Sequence, residues 1–322
     1  MNSVFVSIII PLKQFNHYIR EAIVHYERLE YKNFELIILP DKEEKETLSD
    51  KLDIKVIPTG PVGPAEKRDL GAKIARGKIL AFTDDDAYPD KDWLKNAVEL
   101  LLSSNDIGAV GGPGITPKED NFWQRISGNV YSSIWMSGGY RKRYISTGKI
   151  HEDYDLPSVN LIVKKEVFEA AGGFDSTYYP GEDTKFCLAV KNLGYKILYN
   201  PNIIVYHHRR NLFPFHFKQI SNYALHRGFF AKKYPETSLK IAYIIPSLFL
   251  IGLFFGLIFC LFLPVLWWVY ILVVAIYFIL GLIFSYGNNF LEKFITFFAV
   301  FLSHLTYGLY FIIGLIKKEL KR

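Results

Sequence analysis

The chain has 322 residues with 38 Lys and Arg against 32 Asp and Glu, and half of its residues are hydrophobic. Two cysteines, Cys187 and Cys260, exclude a disulfide framework and a cysteine-based zinc site and fit a reducing compartment. The net charge of +6 would admit a nucleic-acid partner, but Arg209, Arg210, Lys218, Arg227, Lys232, Lys233 and Lys240 gather just before an apolar tail, where anionic headgroups explain them better, so no nucleic acid is expected.

The N-terminus lacks a basic region followed by an apolar core and a cleavage site, so residues 6–11 read as a first buried strand rather than a signal peptide. Asn16 can cap a helix whose apolar face is Ile19, Ala22, Ile23, Tyr26 and Leu29. Residues 34–39 form a second strand ending at Pro40-Asp41. Residues 42–53 are highly charged and predict a surface turn and helix, and 54–57 a third strand. A Gly/Pro-rich loop precedes a helix over 66–75. The strand at 79–82 runs straight into Asp84, Asp85 and Asp86. Acids stacked at a strand's C-terminal end repel one another unless a cation sits among them, and hard oxygen ligands there suit Mg2+ or Mn2+ shared with substrate phosphates. Taken alone, a solvated acidic turn is an equal reading.

A helix around Leu94, Ala97, Val98 and Leu101 and a strand at 107–110 continue the alternation, which indicates a mostly parallel sheet covered on both faces. No G-x-G-x-x-G or Walker lysine loop is present. Residues 111–157 lose periodicity and read as an irregular substrate loop. A strand at 158–163 and a helix at 164–171 follow, and Glu182-Asp183 opens another helix behind Gly181. Three apolar runs, 241–263, 265–284 and 294–316, are long enough to span a bilayer. Three full spans would place Lys317, Lys318, Lys321 and Arg322 opposite a cytosolic catalytic domain, against the positive-inside rule, so the third run is also readable as re-entrant or interfacial.

Two acidic sites thus need one explanation. A metal-bound diphosphate at Asp84/Asp86 and a general base at Asp183 suit transfer of a sugar from a nucleotide donor. The segments VSIIIPLKQFN, ELIILPD, GPAEKRDLGAKIARGKILAFTDDDAYPDKDWL, LPSVNLIVKKEVFEAAGGFD and GEDTKFCLAVKNLGYKIL, with the aromatic tail, resemble family 2 of the inverting glycosyltransferases, in its membrane-anchored type similar to succinoglycan-biosynthesis glucosyltransferases. The resemblance implies an α/β fold: a GT-A domain, a Rossmann-like mixed sheet of the nucleotide-diphospho-sugar transferase kind, over 1–210. A basic amphipathic juxtamembrane segment (211–240) and C-terminal transmembrane helices (241–322) would follow. It implies Pro11, Asp41, Arg68, Asp84 and Asp85 at the donor nucleotide, Asp84 and Asp86 at Mg2+ or Mn2+, and Asp183 as catalytic base. Asn160, Glu182, His207 and Arg227 would line the acceptor side. Gln219 and Arg227 stand where some members carry a Q-x-x-R-W element, here broken to QISNYALHRG. The implied partners are a nucleotide-sugar, most simply a UDP-sugar, a polyprenyl phosphate or polyprenyl-diphosphate-linked acceptor, and the bilayer of the cell membrane, with the catalytic domain cytosolic. Asn160 is equally readable as a strand tie, and one of His207 and His208 as part of a membrane-facing basic patch.

Overall fold

In a computed structural model, which describes residues 4–174 and 178–320, the chain divides into two units. One holds the residues up to Pro117 together with Lys142–His208; the other holds Lys118–Arg141 and the chain from Arg209 onward. Asp175 of the GGFD segment and the terminal Lys321 and Arg322 lie outside the described residues.

The elements follow in chain order as β1 (Val6–Pro11), α1 (His17–Glu27), β2 (Phe34–Leu39), β3 (Ile54–Val56), α2 (Pro64–Ile74), β4 (Ile79–Phe82), β5 (Ala87–Pro89) and α3 (Trp93–Leu101). Then come β6 (Ile107–Gly111), β7 (Gly114–Ile115), α4 (Phe122–Ser132), α5 (Ile134–Ser137), β8 (His151–Glu152), β9 (Leu161–Lys164), α6 (Lys165–Ala170) and α7 (Glu182–Asn192). The chain closes with β10 (Lys196–Tyr199), β11 (Val205–His207), α8 (Phe215–Lys233), α9 (Pro235–Ser238), α10 (Ile241–Phe262), α11 (Leu266–Phe284) and α12 (Phe290–Ile316).

The first unit is built on an eight-stranded sheet of order β3-β2-β1-β4-β9-β6-β10-β8. Strands β3, β2, β1 and β4 are parallel, whereas β9 is antiparallel to both β4 and β6, so the sheet is mixed. Side chains of successive residues point to opposite faces. Ile8, Ile10, Leu36, Ile38 and Ala81 pack with α1 and α3 on one face. Ile9, Ile37, Leu39, Leu80 and Phe82 pack with α2 and α7 on the other. Both faces are therefore covered, which is why these strands read as unbroken apolar runs. A smaller sheet, β5-β11-β7, stands after the acidic turn.

Asn16 caps α1 as expected, its Oδ1 accepting the Ile19 N–H at 3.0 Å. Three expectations are corrected. Residues 42–53 contain no helix. Their acids serve as ties instead: Glu44 Oε1 accepts the Phe15 N–H at 2.8 Å and Glu46 pairs with Arg20 at 2.7 Å. The supposed irregular loop carries α4, closed by a capping box of Asn121 and Gln124, and it packs in the second unit. The strand expected from 158 begins at Leu161, after a 3-10 turn over Ser158–Asn160.

The second unit is helical. Ile126 and Val130 of α4 bury against Ala299 and Val300 of α12, with Leu212 between the elements. α10, α11 and α12 are each long and apolar enough to cross a membrane and supply the membrane anchor. The third runs unbroken from Phe290, four residues earlier than its apolar run suggested.

Candidate active site

Asp41 and the Asp84–Asp86 run lie just beyond the C-terminal ends of the parallel strands β2 and β4. β4 ends at Phe82, and Asp84, Asp85 and Asp86 turn the chain into β5. β11 pairs antiparallel with β5 in the register His207↔Ala87, which sets His207 beside Asp86. Its Nε2 lies 3.2 Å from Asp86 Oδ1. One ligand atom each from Asp84, Asp86 and His207 falls within a common 4.8 Å. Two carboxylates and an imidazole, all partly exposed, suit a borderline-to-hard divalent cation that keeps further positions open for phosphate or water. The neighbouring His208 points the other way along the strand. It is buried, with Nε2 3.1 Å from Glu21 Oε2, and its N–H donates to the Asp86 carbonyl at 3.0 Å. His207 thus faces the acidic turn and His208 faces α1.

Asp85 is tied to the start of α1. Its Oδ2 accepts from Asn16 Nδ2 at 2.5 Å, so the residue that caps α1 also fixes the acidic turn. Burial first, and then Asp86 and Asp84, push its carboxyl up to about 6, against the Asn16 hydrogen bond.

Arg68 joins the two acidic motifs. Its buried guanidinium donates from Nη2 to Asp84 Oδ1 at 2.5 Å and from Nη1 to Glu182 Oε1 at 3.2 Å. Glu182 opens α7 behind Gly181, whose φ of +124° is one that glycine adopts without strain. Burial and the adjacent Asp183 raise the Glu182 carboxyl, and Arg68 opposes them. Asp183 differs: it is only half-buried. Its Oδ1 accepts the Thr184 N–H at 2.7 Å and its Oδ2 the Ser158 N–H at 3.4 Å. Of the pair, Asp183 is the carboxylate a substrate can reach.

Asp41, at the end of β2, pairs with Lys67, whose buried ammonium also donates to the Leu12 carbonyl at 2.6 Å and the Leu39 carbonyl at 3.1 Å. Lys67 was missed from the sequence, although Ala65, Arg68 and Ala72 share one helix face and already pointed basic groups of α2 inward. Asp155 was missed too: its Oδ1 accepts from Thr184 Oγ1 at 2.7 Å and its Oδ2 pairs with Arg143 at 3.1 Å, holding the first turn of α7. No sequence pattern marks it.

Three further expected positions have their own settings. Pro11 is buried as the last residue of β1 and shapes the strand end without offering surface. Asn160 is wholly buried with its amide spent: Oδ1 accepts from Trp93 Nε1 at 2.9 Å, and Nδ2 donates to the carbonyls of Ile203 (2.8 Å) and Pro113 (3.2 Å). The strand-tie reading is the one it fits. Arg227 belongs to the second unit, 5.0 Å over the Tyr243 ring with Nη1 3.4 Å from Ser238 Oγ. There Gln219 lies between Tyr131 and Tyr223.

Parallel strands ending in paired acids within a mixed sheet, with a second acid motif drawn in by a shared arginine, have a counterpart among known proteins. Residues 7–170, a little over half of the chain, match the profile of glycosyl transferase family 2. The chain belongs to that family. This family 2 glycosyltransferase is 26% identical over 245 residues to a dolichyl N-acetyl-alpha-D-glucosaminyl phosphate 3-beta-D-2,3-diacetamido-2,3-dideoxy-beta-D-glucuronosyltransferase of Methanococcus voltae, covering 71% of this chain and 74% of that protein. It is 24% identical over 195 residues to a glucosyl-dolichyl phosphate glucuronosyltransferase of Haloferax volcanii, covering 55% and 60%. Its fold is that of a mannosyltransferase from Pyrobaculum calidifontis solved with GDP-Man and Mn2+, at a TM-score of 0.58 and 17% identity, covering 98% of this chain and 88% of that one. The glycosyltransferase thus has the GT-A fold with a membrane-anchoring helical segment.

Proposed function

We propose that the enzyme moves a sugar from a nucleotide-sugar, most simply a UDP-sugar, to a polyprenyl-linked acceptor at the cytosolic face of the cell membrane, with inversion at the anomeric carbon. The observation that carries this is Arg68, whose one guanidinium holds both Asp84 and Glu182, the chain neighbour of Asp183. Mg2+ or Mn2+ held by Asp84 and Asp86, with His207 as third ligand, would neutralise the donor diphosphate.

The residues divide the remaining work. Asp41, oriented by Lys67, recognises the base at the end of β2. Asp85, fixed by Asn16, orients the turn that faces the donor. Asp183 takes the proton of the acceptor hydroxyl. The hydroxyl oxygen bonds to the anomeric carbon as the bond from that carbon to the diphosphate oxygen breaks, and one such displacement inverts the centre. Glu182 stays against Arg68 and holds the first turn of α7 in register. A lipid-borne acceptor is supported by the apolar helices, since a soluble one gives no reason to fix the enzyme at a bilayer. It is further supported by two relatives whose names describe dolichyl-phosphate sugars.

The test is transfer itself. The full chain in nanodiscs, given radiolabelled nucleotide-sugars, Mn2+ and polyprenyl-diphosphate-linked sugars, should yield a lipid-extractable product whose anomeric configuration is opposite to that of the donor. Product of retained configuration, or product undiminished by chelation, would overturn the assignment.

A further inference from the structure

By length and composition alone α12 is a third membrane span: 27 residues, about 40 Å. Its neighbours say otherwise. The share of its apolar window buried within the protein is 39%, against 11% for α10 and 6% for α11. α8 runs alongside its second half in the same direction. His216 Nε2 meets Ser303 Oγ at 3.1 Å, a Cβ on Gly228 would lie 2.1 Å from the Phe311 carbonyl oxygen, and Lys232 donates to the carbonyls of Leu315 (3.2 Å) and Lys317. α8 carries Lys218, Arg227, Lys232 and Lys233. An upright α12 would carry this charged helix into hydrocarbon over the stretch from Ser303 to Lys317, roughly 20 Å. The first half is flanked as well: α4 packs on Ala299 and Val300, and Arg125 lies 4.0 Å from Glu292.

The two sides of α12 also differ. Toward its neighbours it buries Glu292, Thr296, Ser303 and His304, with Gly308 and Gly314 giving close approach to the backbones of α10 and α8. Away from them Phe294, Phe298, Leu309 and Ile316 are exposed, and at the helical period they form one stripe. A helix covered by protein on one side and carrying a single apolar stripe on the other has the surface an in-plane helix needs. α10 and α11 are different in kind. They are exposed and apolar around most of their circumference, joined by a short turn at Pro264, and touch α12 near their open end. There Tyr277 Oη meets His304 Nδ1 at 2.8 Å, and a Cβ on Gly281 would lie 2.5 Å from the Phe297 ring.

We propose that the chain crosses the bilayer twice, through the α10–α11 hairpin, and that α12 lies in the plane of the membrane surface with its Phe294–Phe298–Leu309–Ile316 stripe on the acyl chains. Two crossings return Lys317 and Lys318 to the side of the membrane that holds α8, which removes the conflict with the positive-inside rule.

Single cysteines at Asn222 on α8 and at Lys318 test the sidedness in the full chain, in sealed inverted and right-side-out membrane vesicles, with a membrane-impermeant maleimide. Cys187 and Cys260 are both buried and supply the unlabelled background. Labelling of both positions in the same vesicle orientation is expected; labelling in opposite orientations would overturn the proposal. A second measurement does not depend on sidedness. Nitroxides at Phe298→Cys and Leu309→Cys, both lipid-facing, should report equal and shallow depths by oxygen and nickel accessibility. A spanning α12 would separate them by roughly 16 Å in depth.

Discussion

At the N-terminal end of the parallel strands, Glu35 is wholly buried and all four of its acceptor positions are filled. Ser7 Oγ (2.7 Å) and the Arg76 N–H (2.8 Å) bond Oε1, while Arg76 Nε (2.8 Å) and Lys55 Nζ (2.9 Å) bond Oε2. At the C-terminal end the acids are provided for differently. Asp84 and Glu182 share one guanidinium, Asp85 meets a neutral amide, and Asp86 faces an imidazole. One end of the sheet is a closed charge network and the other an acid-rich cluster in which the acids outnumber the cationic side chains. A saturated buried acid speaks for stability and an acid-rich, partly exposed cluster for chemistry, and substitutions at the two ends should separate accordingly.

The largest effect is expected from Asp183→Asn. A lost general base costs on the order of 100- to 10,000-fold in kcat, and donor affinity measured by calorimetry with Mn2+ should stay within a few-fold. A near-normal kcat would instead mean that the acceptor nucleophile is already an anion, as in a polyprenyl-phosphate monosaccharide synthase, and Asp183 would then be a positioning group. Next comes the metal cluster. His207→Ala should weaken Mn2+-dependent donor binding by roughly 10- to 100-fold, with Asp86→Asn weaker still. His208→Ala, which removes the tie to Glu21, should cost less. Equal donor affinity in wild type and His207→Ala would remove the imidazole from the site.

The closed end should answer in stability. Glu35→Gln keeps the shape but strips the charge that Arg76 and Lys55 share, at a cost of about 1–3 kcal/mol by thermal or urea unfolding, with kcat per folded molecule unchanged. Burial alone would raise the Glu35 carboxyl, but Lys55, Ser7 and Arg76 outweigh it and hold it at about 2. Its pKa is therefore lower folded than unfolded. Its stabilisation is complete above the unfolded carboxylate range and fades as pH falls from about 4.5 toward about 2. Glu35→Gln should flatten that acid limb; an unchanged limb would show that the network contributes nothing.

How much of this the sequence disclosed follows from how local each feature is. β1, β2 and β4 were legible because both faces of the sheet are covered, so the strands are apolar throughout. Asp84–Asp86 were legible because they follow a buried strand directly, and Glu182–Asp183 because a glycine and a helical pattern bracket them. The pairing of Lys67 with Asp41 was not, since it depends on α2 starting beside the ends of β1 and β2, which the parallel register Pro11↔Leu39 fixes. α4 stayed hidden because the residues that bury Ile126 and Val130 come from α12, far along the chain. The two histidines looked alike in sequence and separate only because β11 pairs with β5, so that alternate side chains face Asp86 and Glu21.

The smallest effect sharpens the comparison most, because its sign is reversed. Asp85 carries a carboxyl raised to about 6, by burial first and then by Asp86 and Asp84. The folded, metal-free protein thus holds this proton more tightly than the unfolded chain does. Between the unfolded carboxylate range and about 6, this group's contribution to stability falls as pH rises, the opposite of Glu35. Asp85→Asn should remove that slope in chelated protein, seen as a smaller loss of Tm between pH 4 and pH 6. Saturating Mn2+ should shrink it in the wild type, since a cation among Asp84 and Asp86 cancels the repulsion that adds to burial in raising the group. A slope of unchanged size in Mn2+ would mean that no cation enters beside Asp85.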